Sequence, residues 1–398
     1  MTQKTSKYRV AERLQGVKEY YFSRKLAEVA QRRLQGQDIL NLGIGNPDLP
    51  PPPGVISALR EDLQQPGAHG YQSYRGTAQL RAAYQAWYRD VYQVQLTDDE
   101  VLPLAGTKEG IAHLCLAYLQ TGDVVLAPDP GYPAYSSAAK LAGARSLAYT
   151  LPSSGDSEGQ WLKNLAELPG FEAARLMFVN TPHMPTGQCL SRGQLEQLTA
   201  FAKTHGLLLI SDNAYNYYAP GGPQSMLTIP GARSVCVELN SLSKSHHLAG
   251  WRQGVLVGQP EVLQRALQVK SNLDSGQFRP LQRGASAALS TPPNWHNQRN
   301  ELIAERREFA TDLLVRMGLR VAPGQAGLFV WAEGTEVEAS DYTDGLLDKA
   351  KVFLAPGTVF GPRGAGCVRL SLCSPLTTLQ LAAERLEQAG FITQKPQP

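Results

Sequence analysis

The sequence predicts an α/β protein: a large domain with a mostly parallel sheet covered by helices on both faces, plus a smaller α+β domain. Three observations carry that expectation. Between about residues 100 and 260, short apolar runs alternate with stretches of helical period, the pattern of βαβ units. Those runs are apolar at consecutive positions, as strands buried on both faces require. Past residue 280 the rhythm changes to a long charged helix followed by isolated strands. The chain has 398 residues, comfortable for two domains, and we place the large one at 46–285 and the small one at 1–45 with 286–398.

In order along the chain, the first forty residues hold one helix, with Phe22, Leu26, Val29 and Leu34 spaced for a single apolar face. LPPPPG, from Leu49 to Gly54, is an extended connector that no helix crosses. GTKEG opens a helix with Ile111, Leu114, Cys115 and Tyr118 on one side. DVVLAP is a strand that ends in the turn-rich PDPGYP, and ARLMFVN is a strand broken by TPHMPTG. Ser191 and Gln194 have capping-box spacing and start a helix that runs to about His205. LLLIS, SVCVEL and GVLVG are three further strands. NQRNELIAERREFATDLLVRMG is the long charged helix; LFVWAE, another helix and CVRLSL follow, and QKPQP is a frayed tail.

Hydrophobic residues make up 42% and charged residues 18%, which supports a substantial core and excludes global disorder. A net charge of +3 is small for this length and points away from nucleic acid or an acidic membrane as the main partner. The five cysteines form no CxxC pair and no metal pattern with the seven histidines, so they read as reduced core thiols and no metal is expected. The N-terminal MTQKTSKYRVAER lacks an apolar signal core, and no run of ~18 apolar residues occurs, so a cytoplasmic protein is expected.

In open α/β sheets, ligands bind beyond the carboxyl ends of the strands. Gly106, Tyr132, the PHMPTG loop, Asp212 and Lys244 each follow a strand or open a helix, so distant segments converge on one crevice. Gly106, Thr107 and Lys108 precede a helix whose free N–H groups suit an anion. Asp212 ends an apolar strand, where a carboxylate needs a cation or good hydrogen bonds. Lys244 sits among small hydroxyl residues in SLSK, with Arg252 eight positions later.

LGIGNPD, AGTKEG, PDPGYPAY, NTPHMPTG, SDNAY, SLSKSHHLAGWRQG and CVRLSL stand in the order and spacing of class I/II pyridoxal-phosphate aminotransferases, which this chain resembles from about residue 40 to 375. The resemblance implies the aspartate aminotransferase fold, fold type I, and pyridoxal 5'-phosphate as cofactor. It makes Lys244 the Schiff-base lysine and a carrier of the substrate Cα proton. Asp212 would hold the pyridine nitrogen protonated, and Tyr215 would hydrogen-bond the phenolic oxygen. The phosphate falls to the amides of Gly106 and Thr107, the hydroxyls of Ser241 and Ser243, and Arg252. Tyr132 would stack on the ring, and Tyr71 would reach the phosphate of a neighbouring subunit, which implies a homodimer with shared sites. Arg369 would bind the substrate α-carboxylate, with Gly45 offering a backbone contact to the same group. Lys108 is left as context.

One loop departs from the family. The usual NPTG asparagine donates to the phenolic oxygen and helps place the carboxylate-binding arginine, but here Met184 replaces it, and a thioether cannot donate. His183 turning in, Asn180 or Asn213 substituting, or Tyr215 acting alone are the alternatives; the expectation is Tyr215 alone. Ala105 also stands where many relatives have a serine near the phosphate.

The resemblance implies an enzyme: a transaminase that moves an amino group from an amino acid to a 2-oxo acid. A C–S (β-eliminating) lyase of the same fold would carry the same motifs and is the alternative. Family regulators carry a DNA-binding domain ahead of the cofactor domain, and the short segment before LGIGNPD and the near-neutral charge weigh against that reading. Arg279, in SGQFRPLQ, is either a reader of a second substrate carboxylate or a structural residue.

Overall fold

The computed structural model describes residues 8–152, 156 and 159–392; QKPQP and the first seven residues lie outside these. Seven strands form the larger sheet: β1 (Val101–Leu104), β2 (Val124–Pro128), β3 (Arg145–Tyr149), β4 (Ala174–Val179), β5 (Leu208–Asp212), β6 (Cys236–Ser241) and β7 (Gly254–Gly258). Their spatial order is β1-β7-β6-β5-β4-β2-β3. The contacts from β3 through β6 are all parallel, whereas β7 runs antiparallel to both of its neighbours.

Alternate residues feed opposite faces of this sheet. Leu176 and Phe178 of β4 pack with Ile111 and Leu114 from the helix Thr107–Tyr118, while Met177 and Val179 pack with Leu195 and Leu198 from Arg192–Thr204. That second helix begins on the expected capping box: Ser191 Oγ accepts from Gln194 N at 3.2 Å, and Gln194 Oε1 accepts from Ser191 N at 2.9 Å.

Two strands escape sequence patterning. β1 contains Pro103, which removes a ladder donor, and the strand is tolerated because it lies at the sheet's edge. β3, RSLAY, forms the opposite edge and is mostly solvent-facing, so it lacks a continuous apolar run.

A second, antiparallel sheet has the order Ala355–Pro356, Cys367–Ser371, Phe329–Glu333, Arg320–Val321. The helices Pro293–Arg316, Ala339–Ala350 and Leu376–Gln388 pack on it through Leu313, Leu346 and Leu379. Phe22 and Val29, from the first helix (Tyr21–Leu34), belong to the same apolar cluster, and Leu40–Asn41 pairs with Val352–Phe353. The N-terminal segment thus folds onto C-terminal elements.

The expected apolar face of that first helix needs correction. Leu34 is 90% exposed and Leu26 is 41% exposed, while Lys25 is buried between Phe22 and Val29. Phe22, Lys25 and Val29 share one face at i, i+3 and i+7, and the ammonium is neutralised by Asp344 at 2.7 Å and Glu28 at 2.9 Å. An ion pair lets a lysine occupy a position that apolar spacing alone assigns to leucine.

Candidate active site

The carboxyl ends of β1, β2, β4, β5 and β6 open onto a single cavity of about 470 Å³. Because β7 runs the other way, its entry rather than its exit lies on the same rim: Gly254 is opposite Ser241 on one side and Leu104 on the other. This reversal carries Arg252, two residues before the strand, to the loop that follows β1. Thr107, Tyr132, Asp212, Tyr215, Ser241, Ser243, Lys244, Arg252, Gly45 and Arg369 all line the cavity.

Gly106 is the N-cap of the helix Thr107–Tyr118 and has φ +85°. A Cβ there would lie 2.1 Å from Arg252 Nη2, so only glycine lets the arginine and the helix terminus approach this closely. Arg252 donates to the Ala105 carbonyl at 3.3 Å, to Ser243 Oγ at 3.3 Å and to the Ala249 carbonyl at 3.0 Å. Ser241 Oγ accepts from Ser243 N at 3.1 Å. On the other side of the loop, Glu109 accepts from the Ala105 amide. A guanidinium, two hydroxyls and a helix N-terminus therefore meet at one end of the cavity, a donor set suited to a phosphate.

Asp212 is 5% exposed. Its Oδ2 accepts from Tyr135 Oη at 2.9 Å, whereas Oδ1 is buried with no side-chain partner among the described residues. Burial pushes its carboxyl up to about 6, against the smaller opposing pulls of the Tyr135 hydrogen bond and the Ala214 backbone amide. A cationic donor at Oδ1 would complete the pair. Tyr135 is itself fixed by stacking on Phe178 at 4.5 Å between centroids.

Lys244 lies in the short helix Leu242–Ser245, and its carbonyl accepts from Tyr218 Oη at 2.8 Å. Its amine borders the cavity and donates to the Gly45 carbonyl. Desolvation lowers its pKa; Cys373 opposes this, while Arg369 and Arg252 add to it. A lysine so placed releases its proton more readily than a surface lysine, as an attacking amine must.

Arg369 is 4% exposed and pairs with no carboxylate among the described residues. It donates to the Gly43 carbonyl at 2.7 Å and to Met184 Sδ at 3.3 Å, and its Nε is unpaired. Its guanidinium carbon stands 3.8 Å from the Phe329 ring centroid, 4.5 Å from Phe360 and 5.3 Å from Phe22. Desolvation pulls its pKa down to about 10, so it remains charged at neutral pH. A buried cation held by aromatic faces and weak acceptors is arranged for an incoming anion.

Met184 occupies the cavity wall as the loop motif implies. His183 does not turn in: its Nδ1 is engaged by Thr186 Oγ1 at 2.8 Å, and it is absent from the lining. Asn213 faces a separate cavity, bonded to Ser211 and the Gln224 carbonyl. Of His183, Asn213 and Asn180, Asn180 is the one that lines the main cavity, together with Met184 and Tyr215.

Two sequence-derived candidates lie elsewhere. Tyr71 is 97% exposed and outside the cavity of its own chain. Arg279 donates to Asp62 Oδ2 at 2.9 Å and to the Pro66 carbonyl at 3.1 Å, at the start of the helix Arg279–Leu289 and away from the cavity. Sequence reasoning did not find Tyr135, Phe329 or Phe22. Tyr135 had a signal, because it stands in the same PDPGYPAY motif as Tyr132, three residues on; the two phenylalanines had none.

The family described as aminotransferase class I and II matches residues 37–386. The chain belongs to that family. Curated relatives include the LL-diaminopimelate aminotransferases of Desulforudis audaxviator, 37% identical over 94% of this chain and 96% of theirs, and of Aquifex aeolicus, 34% identical over 96% and 99%. Among solved structures, substrate-bound BacF from Bacillus subtilis superposes with TM-score 0.89 at 31% identity, covering 98% of this chain and all of that one. A single mutant of aspartate aminotransferase from Thermus thermophilus shares the fold, with TM-score 0.87 at 24% identity over 96% of this chain and all of that one. This aminotransferase is thus a transaminase that moves an amino group between an amino acid and a 2-oxo acid, and its relatives' names do not favour the lyase alternative. Members of the family depend on pyridoxal phosphate. No helix among the described residues is long and apolar enough to cross a membrane.

Proposed function

We propose that the cavity holds pyridoxal phosphate, with Lys244 as the amine that meets its aldehyde, and that the enzyme acts as a cytosolic homodimer on LL-diaminopimelate or a closely similar amino donor. The observation that carries the cofactor reading is the charge imbalance inside one cavity: among the described residues, Lys108, Lys244, Arg252 and Arg369 line it with one carboxylate, Asp212, whose Oδ1 has no side-chain partner. A phosphate, a substrate carboxylate and a protonated ring nitrogen would satisfy those groups one by one. The donor reading rests on the printed names of the curated relatives.

When bound, pyridoxal phosphate supplies an aldehyde that exchanges amino groups and a ring that accepts the electron pair released at the substrate Cα. The chain's own residues do the rest. Arg252, Ser241, Ser243 and the N–H groups at Gly106 and Thr107 hold the phosphate end. Asp212 keeps a proton on the ring nitrogen, and Tyr135 keeps Asp212 aimed there. Tyr132 covers one ring face and Tyr215 donates to the phenolic oxygen. Arg369 grips the α-carboxylate and so presents the Cα hydrogen to Lys244, which carries the proton. The Gly45 carbonyl accepts from the Lys244 amine, and the Gly45 amide would contact the same carboxylate.

Residues 46–285 would form the cofactor domain, with 1–45 and 286–398 forming the one that brings Arg369. The exposed Tyr71 would complete the partner's phosphate site. Incubating the cofactor-loaded enzyme with LL-diaminopimelate tests the reading: without a 2-oxo acid the reaction stops after one equivalent, and adding 2-oxoglutarate or pyruvate restores turnover. Continuous turnover without an acceptor, or no reaction with this donor, would refute it.

A further inference from the structure

We infer that Asn180 has taken over the donor role that Met184 cannot perform, while Met184 retains the other half of the missing asparagine's work by accepting from Arg369. The inference rests on the proposed occupancy of the cavity by pyridoxal phosphate.

His183 and Asn213 are excluded by the partners already described. Asn180 directly follows β4, whose last residue, Val179, pairs with Ser211; the next position along therefore stands beside Asp212. Its side chain is 3% exposed and lines the same cavity as Asp212, Tyr215 and Met184. Its hydrogen-bonding capacity is almost unused among the described residues: Nδ2 makes one long contact to the Pro182 carbonyl at 3.4 Å, and Oδ1 has no partner. A buried amide offers two N–H donors and an acceptor, and leaving them empty is costly. Such an amide beside a ligand cavity is a binding group whose partner is the ligand.

The chemistry of that partner follows from position. The ring nitrogen belongs to Asp212 and the phosphate end lies at Gly106 and Arg252. What remains on the Met184 and Tyr215 side is the phenolic oxygen, an acceptor that Tyr215 alone would leave with a free lone pair. An Asn180 N–H fills it. Met184 is kept apart from this task because its sulfur already lies 3.3 Å from Arg369 Nη1.

A donor to the phenolic oxygen stabilises its anionic form and so lowers the pH at which the proton shared with the neighbouring lysine nitrogen is lost. The measurement is the pH midpoint of the visible band of the cofactor-loaded protein, which needs no turnover. The presence of that band in the native protein tests the proposed function itself, so the two readings fail separately. Asn180→Ala should raise the midpoint by about one unit or more, the effect of one charge-assisted hydrogen bond. Adding Met184→Asn to that variant should bring it back. Met184→Asn alone should move the native midpoint by less than half a unit, because the acceptor is already served. This second variant keeps the inference testable if Asn180→Ala does not fold. An unchanged midpoint in Asn180→Ala, or a fall of a unit or more in Met184→Asn alone, would overturn the inference and leave Tyr215 as the sole donor.

Discussion

At the scale of single residues, the site is a set of groups held in states that cost stability until a ligand arrives. Asp212 shows the sign. Its carboxyl titrates near 6 in the folded protein, above the ordinary value of 3.8. The folded state therefore binds the proton more tightly than the unfolded one, and cofactor-free stability falls as pH rises from about 4 to about 6. Two pH units correspond to about 3 kcal/mol. Asp212→Asn, which keeps the Tyr135 hydrogen bond, should be the more stable protein at pH 7 without cofactor, by about 1–3 kcal/mol, yet should hold the cofactor poorly. Chemical denaturation at pH 7 and pH 4 checks this: the gap should close at the lower pH, and a less stable variant at pH 7 would contradict it. Arg369 is the counterpart for substrate. Arg369→Ala should lower kcat/KM by about 10²-fold, roughly the 3 kcal/mol of a charge-assisted carboxylate contact, while the visible band of the loaded enzyme stays in place. Steady-state kinetics and a spectrum together separate this from a loss of cofactor.

At the scale of elements, the loop between β1 and the helix Thr107–Tyr118 is gripped from two sides. Arg252 donates to the Ala105 carbonyl and Glu109 accepts from the Ala105 amide. Glu109 is backed by Lys270 at 2.7 Å, which also reaches Asp274 at 2.8 Å. Glu109, His113 and Asp274 have metal-ligand spacing, but the Lys270 ammonium already supplies their positive charge. Gly106→Ala should destabilise the protein by about 1–3 kcal/mol, combining the positive φ with the collision against Arg252. It should also weaken cofactor binding at least tenfold, read by equilibrium titration; unaltered affinity would show that the close approach is not needed. This loop was legible in sequence because glycine, threonine and a helix start fall together just after a strand position. The strand itself was not, since Pro103 hides it. Likewise the buried Lys25 defeated a reading based on apolar spacing, because its partner Asp344 is more than three hundred residues away.

At the scale of the whole molecule, the large sheet's parallel order with its reversed strand brings Thr107 to Arg252 to one rim, and Arg369 reaches the same cavity from the second sheet. Lys244, Asp212, Tyr215, Arg252 and Arg369 could be named in advance because each sits in a short, chemically specific motif. The aromatic cage of Phe22, Phe329 and Phe360 could not, because it exists only once the N-terminal helix folds onto the C-terminal sheet. The exposed Tyr71 belongs to this scale too. Mixing Tyr71→Phe subunits with Lys244→Ala subunits should regenerate native cofactor retention in hybrid dimers, since one site per hybrid has both side chains intact; equal retention in hybrids and Tyr71→Phe homodimers would count against a shared site. The most direct test of the account is borohydride reduction of the protein saturated with pyridoxal phosphate, followed by digestion and mass analysis. A reduced pyridoxyl adduct on the peptide carrying Lys244 is the result expected, and its absence from that peptide, or its presence on another lysine, would contradict the account.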